Sequence, residues 1–163
     1  FVGAIRSREV ILLLGDGRGG LRRSAAVGIS GYPWMLAAGD VDGDGHADVV
    51  SANTADNSAS IVIGDGAGGL RLHSVVPVGI GPIAVDLGDL DGDGDLDLVT
   101  SNLGGASWTL LENDGRGTFG NARVLAASSA GSCAVLVDRD NDGDLDLIGI
   151  DELDDLIFLF TNR

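Results

Sequence analysis

"GDVDGDGHADVV", residues 39–50, places aspartates at 40, 42, 44 and 48 with glycines between them. Carboxylates crowded this closely repel one another and raise one another's pKa unless a cation compensates. The stretch returns as "GDLDGDGDLDLV" from Gly88 and "VDRDNDGDLDLI" from Val137. The leading aspartates, Asp40, Asp89 and Asp138, stand 49 residues apart, without insertion or deletion. A second marker keeps the same beat: "GDG" at Gly15, "GDG" at Gly64 and "NDG" at Asn113. A fixed period of this length marks a propeller, a solenoid or another array, in which each unit needs its neighbours.

Four short apolar runs fill each period. In one unit they are Trp34–Ala38, Val49–Ala52, Ser60–Ile63 and Leu70–Val76. In the next they are Ile83–Leu87, Leu98–Ser101, Ser107–Leu111 and Phe119–Leu125. Val, Ile and Leu dominate, Gly and Asp clusters separate the runs, and none is long enough for a helix. The expected fold is therefore all-β, a β-propeller-type array of four-stranded antiparallel blades. A β-solenoid is the alternative, although its usual repeats are much shorter. The expected division is a partial blade over 1–32, blades over 33–81 and 82–130, and a partial blade over 131–163. Phe1–Ile5, Val10–Leu14 and Leu21–Val27 align with the second, third and fourth strands, and Leu156–Phe160 with a third strand. Fewer than four complete blades cannot close a ring alone. The open terminal edges are expected to meet further repeats of the same chain or identical copies.

Composition narrows the functions. The 163 residues are 44% hydrophobic, enough for a packed core despite a formal charge of −15. So acidic a chain repels phosphate, which argues against a nucleic-acid partner. All ten basic residues are arginine. No apolar run approaches the length of a membrane span. Cys133 is the single cysteine, so no internal disulfide can form, and its place in an apolar run predicts a buried thiol.

Numbered from their first aspartate, the acidic loops have a ligand pattern. Asp40, Asp42, Asp44 and Asp48 fall at positions one, three, five and nine. Asp89, Asp91, Asp93 and Asp97 do the same, as do Asp138, Asp140, Asp142 and Asp146. This is the opening of an EF-hand loop, whose alternating oxygens surround Ca²⁺. Gly45, Gly94 and Gly143 occupy position six, where the sharp turn needs glycine. Position seven, His46, Asp95 or Asp144, would donate its backbone carbonyl, so its side chain is free to vary. No Glu stands at position twelve, which holds Ser51, Thr100 or Gly149, so the position-nine carboxylate must take its part. Hard oxygen donors favour Ca²⁺ over zinc or copper, and Mg²⁺ prefers fewer protein oxygens. Plain acidic turns need one aspartate, not four at alternate positions three times over. Three Ca²⁺ sites are expected, and they would offset six of the fifteen excess negative charges.

The pattern G-D-x-D-G-D-G-x-x-D, followed by "GDGxGG" or "NDGRGTFG", resembles the FG-GAP/VCBS repeat of integrin-α-type calcium-binding β-propellers. The resemblance implies one blade per repeat, with the calcium loop joining its first and second strands, and it carries the ligand role onto the twelve aspartates above. The chain departs from the family in two places. The "FG" survives only as Phe119–Gly120, and "SAN", "TSN" and "GID" replace the "GAP".

Weaker signals complete the reading. "GDGRGG" at Gly15 lacks the Gly-Lys-Ser/Thr of a phosphate loop and reads as a hairpin turn. Asp86 is a polar residue in an apolar strand, expected to be solvated at a channel. Trp34 and Trp108 are expected in the core or between blades, and His73 on the surface. No Ser, His and Asp or Cys and His constellation suggests catalysis. The expected function is a non-catalytic, calcium-stabilised extracellular module with a structural, adhesive or filament-forming role, open to a protein or glycan ligand. The alternative is a carbohydrate-binding module or the propeller portion of a polysaccharide-active enzyme, against which the 4% aromatic content argues.

Overall fold

A computed structural model of the chain describes residues 1–162. Fourteen strands form four separate antiparallel sheets, each a simple meander. Blade one holds β1 (Val2–Ala4), β2 (Glu9–Gly15) and β3 (Leu21–Gly28). Blade two holds β4 (Pro33–Gly39), β5 (Asp48–Asn53), β6 (Ser58–Gly64) and β7 (Leu70–Pro77). Blade three holds β8 (Pro82–Gly88), β9 (Asp97–Asn102), β10 (Ser107–Asn113) and β11 (Phe119–Ala126). Blade four holds β12 (Gly131–Val137), β13 (Asp146–Asp151) and β14 (Leu156–Phe160). The only helical turn among the described residues is a short 3₁₀ segment at Leu103–Gly105. No helix there is long and apolar enough to cross a membrane.

The all-β architecture and the repeated blades agree with the sequence reading, and each strand begins or ends within a few residues of its apolar run. The middle strands of blades two and three are buried on both faces because these blades lie between neighbours: β5, β6 and β9 have no exposed residue. That explains their near-continuous apolar runs, where a half-exposed strand would alternate. The fourth strands β7 and β11 lie at the rim and are largely exposed.

Apolar clusters join successive blades. Val10 meets Val49 and Val62 between blades one and two. Val50 and Ile61 meet Leu98 and Leu111 between blades two and three. Trp108 and Leu110 meet Ala134 and Leu147 between blades three and four. Trp108 is fully buried, with ring centroids 5.5 Å from Phe158 and 5.8 Å from Phe160. It lies so close to Gly149 that a Cβ there would stand 2.5 Å from the indole.

The residues that replace the family's "GAP" have a buried use. Ser51 donates to Asn53 Oδ1 at 2.8 Å, and Asn53 Nδ2 donates to Ser60 Oγ at 2.8 Å. In blade three, Thr100 donates to Asn102 Oδ1 at 3.0 Å, and Asn102 Nδ2 to Thr109 Oγ1 at 2.9 Å. These polar groups sit inside the sheets and are satisfied there, as burial demands. In blade four Asp151 replaces the asparagine and accepts the amides of Ser129 and Ala130 at 2.6 and 3.1 Å.

Three local expectations are corrected. Cys133 is exposed rather than buried, because it lies on the face of β12 that no described residue covers. Trp34 is 63% exposed, at the register shift between Pro33 and Met35, where the strand re-aims its side chain away from the core. Asp86 is half-buried and its Oδ2 accepts the Leu136 amide at 3.2 Å, a bond between the inner strands of blades three and four. His73 and Trp108 lie where expected, at the surface and between blades.

Candidate metal centre

Each acidic loop links the first strand of a blade to the second: residues 40–47 join β4 to β5, 89–96 join β8 to β9, and 138–145 join β12 to β13. The loop must reverse sharply while carrying a carboxylate at every second residue. Backbone in the left-handed region makes this reversal. Gly45, Gly94 and Gly143 have φ of 84°, 96° and 100°. Position four is left-handed too, at Gly43, Gly92 and Asn141, and asparagine tolerates that region better than other side-chain-bearing residues.

Position one folds back over the turn. Asp40 accepts the amides of Gly43 and Gly45 at 2.8 Å each, and Asp89 those of Gly92 and Gly94 at 2.8 and 3.0 Å. Position five caps position seven: Asp44, Asp93 and Asp142 accept the amides of His46, Asp95 and Asp144 at 2.8, 2.9 and 3.1 Å. These bonds hold the carboxylates in place.

Position nine does more than the sequence suggested. Asp48 is fully buried; its Oδ2 accepts the Val41 amide and its Oδ1 the Gly64 amide, both at 2.9 Å. Asp97 accepts the Leu90 and Asn113 amides at 2.8 Å each. Asp146 accepts those of Arg139 and Asn162 at 3.3 and 2.9 Å. Each of these carboxylates ties its own loop to the end of the third strand or the residues just beyond it. Burial pushes the Asp48 and Asp97 carboxyls above their usual range, against the pull of those amides. Neighbouring aspartates at positions three and five push in the same upward direction.

Ligand atoms of Asp40, Asp42 and Asp48 converge within 4.8 Å, as do those of Asp89, Asp91 and Asp97. In the third loop Asp138, Asp140 and Asp142 converge instead. Asp44, Asp93 and Asp146 lie outside these sets; the first two face the position-seven amide, and Asp146 is drawn toward Arg139, 3.7 Å from its Nε. The residues fit a hard cation. Asp42 Oδ1 and Asp138 Oδ1 are buried with no hydrogen-bond partner, a costly state that a metal ion would relieve. Burial and like-charged neighbours also raise the Asp95 and Asp140 carboxyls, the mark of negative charge without enough positive charge nearby.

His46 and Asp95, at position seven, turn their side chains to the hairpin that follows the third strand. A Cβ on Gly66 would meet the His46 ring at 2.4 Å, and one on Gly115 would meet Asp95 Oδ2 at 2.3 Å. The glycine-rich hairpins at Gly15 and Gly64 are not anion sites. Asp16 Oδ1 accepts the Arg18 and Gly20 amides, and Asp65 Oδ1 those of Ala67 and Gly69, so a carboxylate of the chain itself already fills each turn. The same amides hold both carboxyls below their usual range.

Sequence reading missed the asparagines beside the loops. Asn113 Nδ2 donates to Leu96 O at 3.1 Å in its own blade and to Val41 O at 2.9 Å in the preceding one. Asn162 Nδ2 donates to Leu90 O at 2.6 Å, again in the preceding blade. A signal was present, because Asn113 and Asn162 are 49 residues apart.

Successive antiparallel blades, the last three each with one acidic loop between the first two strands, define a propeller-type repeat protein. Comparison with known families matches the FG-GAP-like repeat over residues 1–51, 40–100 and 89–149, neighbouring matches sharing an acidic loop. The chain belongs to the FG-GAP-like repeat family. Comparison with curated proteins finds no match.

Proposed function

We propose that the chain is a calcium-stabilised, extracellular, non-catalytic repeat module, with Ca²⁺ held in loops 40–48, 89–97 and 138–146. The convergence of three carboxylates in every loop, two of them with a buried unpartnered oxygen, carries this reading. The ligands would be Asp40, Asp42, Asp44 and Asp48 with the His46 carbonyl, and their counterparts in the other two loops. The ion supplies positive charge that the carboxylates lack, and it pins the first strand of a blade to the second. Extracellular modules bind Ca²⁺ at roughly 10⁻⁴–10⁻³ M, which matches an extracellular location and not a cytosol low in calcium.

Chelation tests the reading. A site at 100-fold excess of ligand over Kd adds about 2.7 kcal/mol. With three sites filled, the loss should lower Tm by roughly 15 °C or more in a chain of this size. Differential scanning calorimetry with calcium and then with EDTA reads this, and an unmoved Tm refutes it.

A structural or filament-forming role also needs a surface for assembly. On blade four, Val135, Ile150, Ile157 and Leu159 are exposed on the face turned away from blade three. Ser101, Trp108 and Leu110, which match Ile150, Ile157 and Leu159 one repeat earlier, are buried. A second copy, docking its first blade there, would extend the array in the register that the chain already uses. The 163-residue chain is expected to self-associate in sedimentation velocity as concentration rises, and Ile157→Asp to abolish this. A concentration-independent monomer counts against the assembly role. The carbohydrate alternative rests on exposed Trp34 alone, because its matching positions hold Ile83 and Ser132 and no repeated platform forms.

A further inference from the structure

The acidic loops are joined to one another across the blade interfaces. Asp48 accepts the Val41 amide at 2.9 Å, and the Val41 carbonyl accepts Asn113 Nδ2 at 2.9 Å. The Asn113 amide donates to Asp97 at 2.8 Å, and Asp97 also accepts the Leu90 amide at 2.8 Å. The Leu90 carbonyl accepts Asn162 Nδ2 at 2.6 Å, and the Asn162 amide donates to Asp146 at 2.9 Å. A continuous path of backbone and side-chain bonds thus runs from the position-nine carboxylate of the first loop to that of the third.

A second contact follows the same route. A Cβ on Gly39, just before the first loop, would meet Leu96 of the second loop at 2.5 Å. A Cβ on Gly88, just before the second loop, would meet Leu145 of the third at 2.7 Å. The second and third loops therefore each press the position-eight leucine against the base of the loop before. Close packing of this kind passes a local shift to the neighbour instead of absorbing it.

We propose that Asn113 and Asn162 are positioning residues that couple the three metal loops, so that filling one loop raises the affinity of the next. This rests on the calcium reading above. An ion that fixes Asp97 fixes the Asn113 backbone bonded to it. The Asn113 side chain then holds the Val41 carbonyl, and the Val41 amide in turn aims Asp48. Binding at the second loop thereby meets in advance part of the ordering cost of the first. Asn162 acts in the same way between the third loop and the second.

Glycine is the residue at the matching position of blade two, Gly64, so Asn113→Gly and Asn162→Gly are substitutions this fold already accommodates. Calcium is titrated into the full chain while the amide resonances of Gly45, Gly94 and Gly143 report the three loops separately. In the parent chain the three are expected to titrate together, with a Hill coefficient above one. In Asn113→Gly the Gly45 signal should separate from the other two, its loop weakened about fivefold or more, the usual lower range of such couplings. In Asn162→Gly the Gly94 and Gly143 signals should separate instead. Independent titration in the parent, or unseparated titration in both variants, overturns the coupling. A merely structural role would weaken all three loops alike. If none of the three signals responds to calcium, the metal reading itself falls.

Discussion

Replacing Trp108 with alanine is expected to destabilise the folded chain by about 3–5 kcal/mol, the usual cost of deleting a buried aromatic. The indole fills the space between blades three and four, against Phe158, Phe160 and the bare backbone of Gly149. Adding a side chain opposite is expected to hurt as well. Gly149→Thr would place its Cβ 2.5 Å from the indole and cost about 1–3 kcal/mol by overpacking. The matching positions one repeat earlier hold Ala59 and Thr100, both fully buried. The double variant Trp108→Ala with Gly149→Thr recreates that pair, so its loss should be well below the sum of the single losses. A double-mutant cycle from urea denaturation reads the coupling. Strict additivity would show that the two residues do not form a packing unit.

Asp97→Ala should destabilise the chain even when calcium is absent. Its carboxylate accepts two amides, from Leu90 and Asn113, and each donor left unpaired costs about 1–3 kcal/mol. Asp91→Ala provides the contrast. Asp91 also faces the ligand cluster, but its one backbone bond is a 3.2 Å contact from the Asp93 amide in an exposed turn. Without calcium its removal should be nearly neutral, since one of the mutually repelling charges is gone. With calcium, both variants should lose the stabilisation of that loop. Thermal melts of the two variants in EDTA separate the cases: Tm should fall for Asp97→Ala and hold for Asp91→Ala. Equal behaviour in EDTA would mean that position nine has no role beyond the ion.

The 49-residue period, the four strands per unit and the place of each acidic loop were legible in the sequence because all are local. Apolar runs, glycines at sharp reversals and alternating aspartates each act within a few residues of themselves. What could not be read concerns which blade a side chain meets. Asp86 reads as a stray charge until the Leu136 amide of the next blade is beside it. Asn113 reads as a variant of the glycine at 64 until its side chain is found on the preceding loop. Trp34 and Trp108 have the same chemistry, yet one lies at a strand irregularity facing outward and the other fills an interface. Cys133 follows the apolar pattern of its strand but lies on the face left uncovered. The convergence of carboxylates was likewise anticipated in kind but not in membership. Position nine joins the cluster in the first two loops, whereas in the third position five does so, while Asp146 leans toward Arg139.

The fit of Trp108 against Gly149 also bears on how such arrays can be rearranged. Repeats of equal length look interchangeable, as if any blade could be cut out and spliced in elsewhere. The junctions deny this, because the bulk of Trp108 at one seam is matched by the bare backbone of Gly149, where the seam one repeat earlier holds Ala59 and Thr100. Blade three moved to another slot would carry its tryptophan to a partner without that bare backbone. Each seam therefore carries an address. A recombination that respects the repeat length but splits residues 108 and 149 should yield a chain with the right strands and a faulty joint.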